Sequence, residues 1–173
     1  NDEARLHALA KPSVVGARTE AGRVVLRGQA GTHGDLDVQY RIGSITKTLT
    51  AVLVLQCRQD GLLALEDRLG EYLPEAGYAD ATLRDLLAHT AGLQAEPVGD
   101  WCERSPGVDV PTLLARNDGS GRVFGAGEAF HYSILGFALL GEVVARLRGS
   151  SWSDLVSARL LASLWMNRTT YHP

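Results

Sequence analysis

An apolar run, Leu49 to Leu55, starts directly behind Ser44-Ile45-Thr46-Lys47 and is apolar on nearly every side. That pattern belongs to a buried central helix rather than to a surface one. It predicts a helix from Ser44 to about Gln59, closed at Asp60-Gly61, where glycine can take the left-handed cap. Ahead of it, Ser13 to Ala17 and Arg23 to Gln29 are β-branched runs joined by Thr19-Glu20-Ala21-Gly22, which reads as a hairpin. Residues 1–10 read as a short helix with Leu6 and Leu9 on one side, stopped by Pro12. Gly31 to Asp37 reads as loop, and Val38 to Ile42 as a short extended piece that delivers Ser44.

Behind the central helix the pattern is helical. Leu62 to Leu73 is a connector closed by Pro74. Thr82 opens the next helix as N-cap with Asp85 three residues on, Leu83, Leu86 and Leu87 form its apolar face, and Gly92 is expected to end it. Residues 94–127 are rich in Gly, Pro and Asp, with one short helix near Pro111 to Arg116; so long an irregular stretch is usually a functional loop or a wall of a site. Tyr132 to Arg148 carries a buried stripe of Leu135, Leu139, Leu140, Val143, Val144 and Leu147, and Gly149 closes it. Ser151 caps a last helix, Trp152 to Leu164, with Asp154 at its third position. There are no repeats or low-complexity tracts.

Composition narrows this only slightly. At 173 residues the chain is long enough for one domain with a real core. A net charge of −3 gives no case for nucleic acid, and no apolar stretch approaches the length of a bilayer span. Cys57 and Cys102 lack metal-like spacing and read as two free thiols, which leaves the compartment open. No His/Cys/Asp spacing reads as a metal site; His7, His33, His131 and His172 are isolated.

Candidate chemistry begins with Ser44 and Lys47. Residues three apart share a helix face, so the hydroxyl and the ammonium can meet, at a helix mouth whose N–H groups favour a developing oxyanion. A serine hydroxyl needs a neighbour to take its proton, and a lysine in an apolar setting can serve. The chain holds two lysines, Lys11 and Lys47, among 17 basic residues, so Lys47 does not look like ordinary surface filling. A covalent serine hydrolase is the leading reading. A phosphate loop is rejected because Thr46 stands where glycine must precede the lysine, and a nucleophile elbow because both flanking glycines are missing. Tyr132 could be a phenolate base near a lysine ammonium; from spacing alone it reads as an amphipathic core tyrosine. His89 reads as a capping residue at a helix C-terminus, with no carboxylate spaced to complete a Ser-His-Asp set.

Four segments in order, Tyr40 to Thr48, Leu83 to Leu93, Phe130 to Gly141 and Leu164 to Thr169, resemble the serine β-lactamase and penicillin-binding-protein superfamily. The nearest branch is that of class C β-lactamases, D-aminopeptidases and family VIII esterases. The resemblance implies an α+β, β-lactamase/transpeptidase-like fold, with an N-terminal hairpin and a helical subdomain. It makes residues 1–173 one incomplete domain, with 1–43 as helix and hairpin and 44–173 mainly helical. It implies that Ser44 is the acylated nucleophile and that Lys47 and Tyr132 share its proton. It implies no metal or cofactor. The expected partner is a small ester or amide substrate, and the histidine segment becomes a structural signature.

Two departures from that pattern carry expectations. Ile134 stands where the second motif usually has asparagine, and it can bond neither a substrate amide nor the lysine. That favours a carboxylesterase-like activity over a β-lactamase or D-amino-acid peptidase. The third motif, a Lys/His-Thr/Ser-Gly strand that supplies one oxyanion N–H, does not occur. The chain is therefore expected to be the N-terminal half of a larger hydrolase, completed by further strands or by a second chain. Losing one oxyanion donor costs about 10²–10³ in turnover, so alone it is expected to be nearly inactive. The rival of another class is a non-catalytic protein that keeps the fold to bind peptidoglycan-like ligands.

Overall fold

The computed structural model describes residues 39–99 and 107–171 in full, together with the backbone of 13–20 and 23–31. The chain divides into two compact units, 1–41 and 42–173. In the first, β1 (Ser13–Glu20) pairs antiparallel with β2 (Arg23–Gly31), from Ser13 opposite Gly31 to Glu20 opposite Arg23, with a register shift between Arg18 and Thr19. The expected helix at 1–10 and the loop at 32–37 lie outside the described residues, as do Cys102, His7, His33 and His172.

The second unit is helical. α1 (Thr46–Gln59) follows a 3₁₀ turn, Gly43–Ile45, so Ser44 precedes the α-helix instead of opening it. The reason is local: neither Ile42 nor Ile45 can cap with its side chain, and the tighter turn satisfies the first N–H groups. Gly43 enters that turn at φ +52°, a left-handed conformation that favours glycine. Thr50, Leu53, Val54 and Cys57 are buried, but Val52 and Leu55 remain 38% and 46% exposed. The helix is thus covered on one side, not all round as its sequence suggests.

α2 (Leu83–Ala88) starts where expected, with Asp85 N–H on the Thr82 hydroxyl at 3.1 Å. It is closed by His89, which takes the left-handed cap at φ +58° in keeping with its reading as a capping residue, three residues before the expected Gly92. Asp85 draws the chain out of the helix there: its carbonyl accepts Thr90 N–H at 2.8 Å and its carboxylate accepts the Thr90 hydroxyl at 2.9 Å. α3 (Val110–Arg116) is capped by Asp109, which accepts Thr112 N–H at 2.8 Å.

α4 (Ile134–Arg148) buries Leu135, Leu139, Leu140, Val143 and Val144 against α1 and α2. Its N-cap is Ser133, whose hydroxyl accepts Gly136 N–H at 3.0 Å, so Tyr132 stands before the helix rather than in its first turn. α5 (Trp152–Val156) is shorter than the expected helix to Leu164 and widens into a π turn, Ser157–Leu161. In π geometry, residues five apart fall close to one face, and Leu155, Val156, Leu160 and Leu161 are all buried. Trp152 closes the packing by donating its indole N–H to the buried Thr50 hydroxyl of α1 at 3.0 Å.

Gly92, released from capping, has another use. The segment behind α2 runs against the segment ahead of α4, with Val123 N–H on Gly92 O at 2.8 Å and Gly127 N–H on Thr90 O at 2.8 Å. A Cβ on Gly92 would stand 1.9 Å from Phe124 O, and its φ is +70°. Gly92→Ala is expected to lower stability by about 2–4 kcal/mol, from backbone strain plus a clash that cannot relax without parting the two segments. Urea denaturation checks this; a midpoint unchanged from the wild type would contradict it.

Candidate active site

Ser44 sits in the 3₁₀ turn and Lys47 in the first turn of α1, and that junction still places them on one face. Lys47 Nζ donates to Ser44 Oγ at 3.2 Å. Tyr132, 88 residues further along, donates its phenol to the same oxygen at 2.7 Å. The Lys47 ammonium lies 4.8 Å from the centre of the Tyr132 ring and 6.0 Å from that of Phe137. The three residues named from the sequence therefore meet at one oxygen atom.

Tyr132 is held there by its neighbours in the chain. His131 N–H bonds His89 O at 2.7 Å, and Ile134 N–H bonds Ala95 O at 2.7 Å. The Ser133 hydroxyl donates to Gln94 O at 2.7 Å, and His131 Nδ1 bonds Leu93 O at 2.8 Å. Residues 131 to 134 are thus laid along residues 89 to 95 like a short ladder. The far side of that segment is fixed by the buried Asn117, whose amide oxygen accepts Gln94 Nε2 and Val98 N–H, each at 3.0 Å.

His89 occupies the cap of α2, but its ring turns to the site instead of to the helix carbonyls. It accepts Ser133 N–H on Nδ1 at 3.1 Å and lies 4.6 Å from Tyr132 and 5.0 Å from Phe137, centre to centre. Burial and then the Lys47 charge hold its pKa below the ordinary 6.5. With Nδ1 accepting a hydrogen bond, the neutral ring carries its proton on Nε2. Burial pushes the Tyr132 phenol up, but the hydrogen bonds from Lys47 and Ser44 and the Lys47 charge outweigh it, so the pKa falls below 10.

Beside Ser44 and Lys47 opens a cleft of ≈710 Å³, with Val110, Leu113, Ile134 and Phe137 on its walls. Phe137 and the ring face of His89 are the site residues the sequence did not reveal. Both look like packing until the ammonium is placed among them. Among the described residues no group of three His, Cys, Asp or Glu could hold a metal ion, and no helix is long and apolar enough to cross a membrane.

The chain is similar to proteins already known. The β-lactamase family model matches residues 3–173. Penicillin-binding protein 4* of Bacillus subtilis is 29% identical over 136 residues, covering 75% of this chain and 30% of the relative. Penicillin-binding protein 4 of Amycolatopsis lactamdurans is 31% identical over 160 residues, covering 86% and 40% respectively. A D-stereospecific amidohydrolase from Streptomyces superposes with a TM-score of 0.79 at 26% identity, over 95% of this chain and 55% of that one. The chain thus spans 30–40% of the length of these two curated relatives.

The Tyr132 phenol should titrate below an ordinary tyrosine, and Lys47→Met should move it to higher pH, since burial then acts with only the Ser44 hydrogen bond against it. Ultraviolet titration against a Tyr132→Phe reference reads this phenol alone. Equal titration in both proteins would show that the ammonium does not govern it.

Proposed function

The chain belongs to the β-lactamase family, and on that footing we propose that it supplies the nucleophile side of a serine hydrolase acting through a Ser44 acyl-enzyme, carboxylesterase-like in preference. One observation supports this above others: Ser44 Oγ lies within hydrogen-bond reach of both Lys47 Nζ and Tyr132 Oη, at 3.2 and 2.7 Å. In the resting pair the phenol donates to Ser44. Once the phenol is ionised beside the Lys47 ammonium, the same contact reverses, and the serine proton can pass to the phenolate as Oγ attacks the substrate carbonyl carbon.

The steps balance within these groups. The Oγ–C bond forms, the tetrahedral oxyanion collapses, and the C–O bond to the alcohol breaks. The leaving alkoxide takes the proton from Tyr132. The phenolate then draws a proton from water, whose oxygen attacks the acyl carbon; the second tetrahedral oxyanion collapses, the C–Oγ bond breaks, and Ser44 Oγ takes the proton back from Tyr132 as the acid leaves. Lys47 keeps a positive charge next to whichever oxygen is negative. Because the chain spans 30–40% of the two curated relatives named, this activity is proposed for the assembled fold, with further strands from the same or a second polypeptide completing the oxyanion site.

Ile134 supports the preference for esters. It lines the cleft beside Lys47 with an apolar side chain, offering no partner to a substrate amide. An amidase or β-lactam-directed reading is the alternative, favoured by the names of the relatives, a D-stereospecific amidohydrolase among them. A fluorophosphonate probe is expected to label Ser44, and peptide mapping identifies the residue. Ser44→Ala should abolish the adduct, and Tyr132→Phe should slow it by about 10²–10⁴. Faster turnover of a chromogenic cephalosporin than of a short-chain ester would reverse the substrate order. An unlabelled Ser44 in this chain alone would mean half a site, and in the assembled fold it would leave the binding-protein reading in its place.

A further inference from the structure

We propose that His89 is a positioning residue for Tyr132: as a neutral imidazole it accepts the Ser133 N–H and backs the phenol ring, and so fixes Tyr132 Oη against Ser44. The inference deepens the serine-hydrolase reading and rests on it. Its geometry is specific. Ser133 is both the next residue after Tyr132 and the N-cap of α4, so a bond to its N–H fixes the backbone from which the phenol projects. The ring face then lies 4.6 Å from the Tyr132 ring and 5.0 Å from that of Phe137, while Phe130 meets it edge-on at 5.8 Å.

The groups around the imidazole make its protonation disruptive. Lys47 of α1 brings a positive charge, Tyr132 a phenol, and Phe130 and Phe137 apolar rings. On its own helix, the Asp85 carboxylate is taken up by the Thr82 and Thr90 hydroxyls at 2.6 and 2.9 Å. The neighbouring His131 meets His89 through its backbone N–H, and its ring bonds Leu93 O. A proton on Nδ1 would set a donor against the Ser133 donor and add a second cation beside Lys47. The site should therefore lose alignment in acid through His89, separately from protonation of the phenolate.

Two variants divide the parts. His89 has φ +58°, a conformation asparagine tolerates well. His89→Asn keeps the backbone and offers an amide oxygen to Ser133 N–H without a titrating ring. His89→Phe keeps a ring and removes the acceptor. The rate of fluorophosphonate labelling of Ser44 in the full chain is followed from about pH 5 to 9, where histidine titrates. In the wild type its logarithm should fall with slope one and then, below His89's titration, with slope two. His89→Asn should keep slope one throughout. His89→Phe should label about tenfold to a hundredfold more slowly at neutral pH, and its Tyr132 phenol should titrate at higher pH. Slope two persisting in His89→Asn, or a wild-type rate and phenol titration in His89→Phe, would overturn the inference. If His89→Phe does not fold, the slope in His89→Asn decides. If no protein labels, the acyl-enzyme reading fails, and ultraviolet titration of Tyr132 in the variants still decides whether His89 positions it.

Discussion

The seam between residues 89–95 and 131–134 carries the site. Ser44 and Lys47 come from one turn of chain, but the third group arrives from 88 residues away, and a phenol displaced by about 1 Å loses most of its value as a base. The seam meets that demand mainly with backbone groups: His131 to His89 and Ile134 to Ala95, both at 2.7 Å. Side chains of Ser133, His131 and His89 fill the remaining positions. Backbone bonds are a sound choice for this, because they are insensitive to rotamer and hold both chain direction and register. On its other flank the same segment lies against residues 123–127, and that close approach explains why Gly92 has no tolerance for a side chain.

The electrostatics follow from the same seam. Burial alone would push the Tyr132 phenol up and keep it protonated; the Lys47 ammonium over its ring, together with the Ser44 hydrogen bond, reverses the direction. The same charge, after burial, holds His89 neutral. One cation thus drives two neighbours toward the states the proposed chemistry needs, an ionisable phenol and a hydrogen-bond-accepting imidazole. Lysine suits the position because its compact ammonium can donate to a hydroxyl and sit over an aromatic face at once, whereas the broad guanidinium of arginine has a fixed fork geometry. In a chain otherwise rich in arginine, that choice is informative.

Much of this was legible in the residues. Ser44 and Lys47 announced themselves by spacing and by the apolar run behind them, because a helix turns short sequence separation into spatial contact. The caps at Thr82 and Ser151 were equally local, each a side chain answering an N–H three residues on. What the sequence could not decide were the features set by distant partners. Gly92 answers to Phe124, and α5 widens after Val156 so that Leu155, Val156, Leu160 and Leu161 can all be buried. By spacing alone Tyr132 was an ordinary core tyrosine; the resemblance of its segment implied a role in the proposed chemistry, and only the fold put its phenol 2.7 Å from Ser44. Local chemistry is written in periodicity and caps. Long-range register has no such signature, since it depends on which backbones approach, and that is a property of the packed chain.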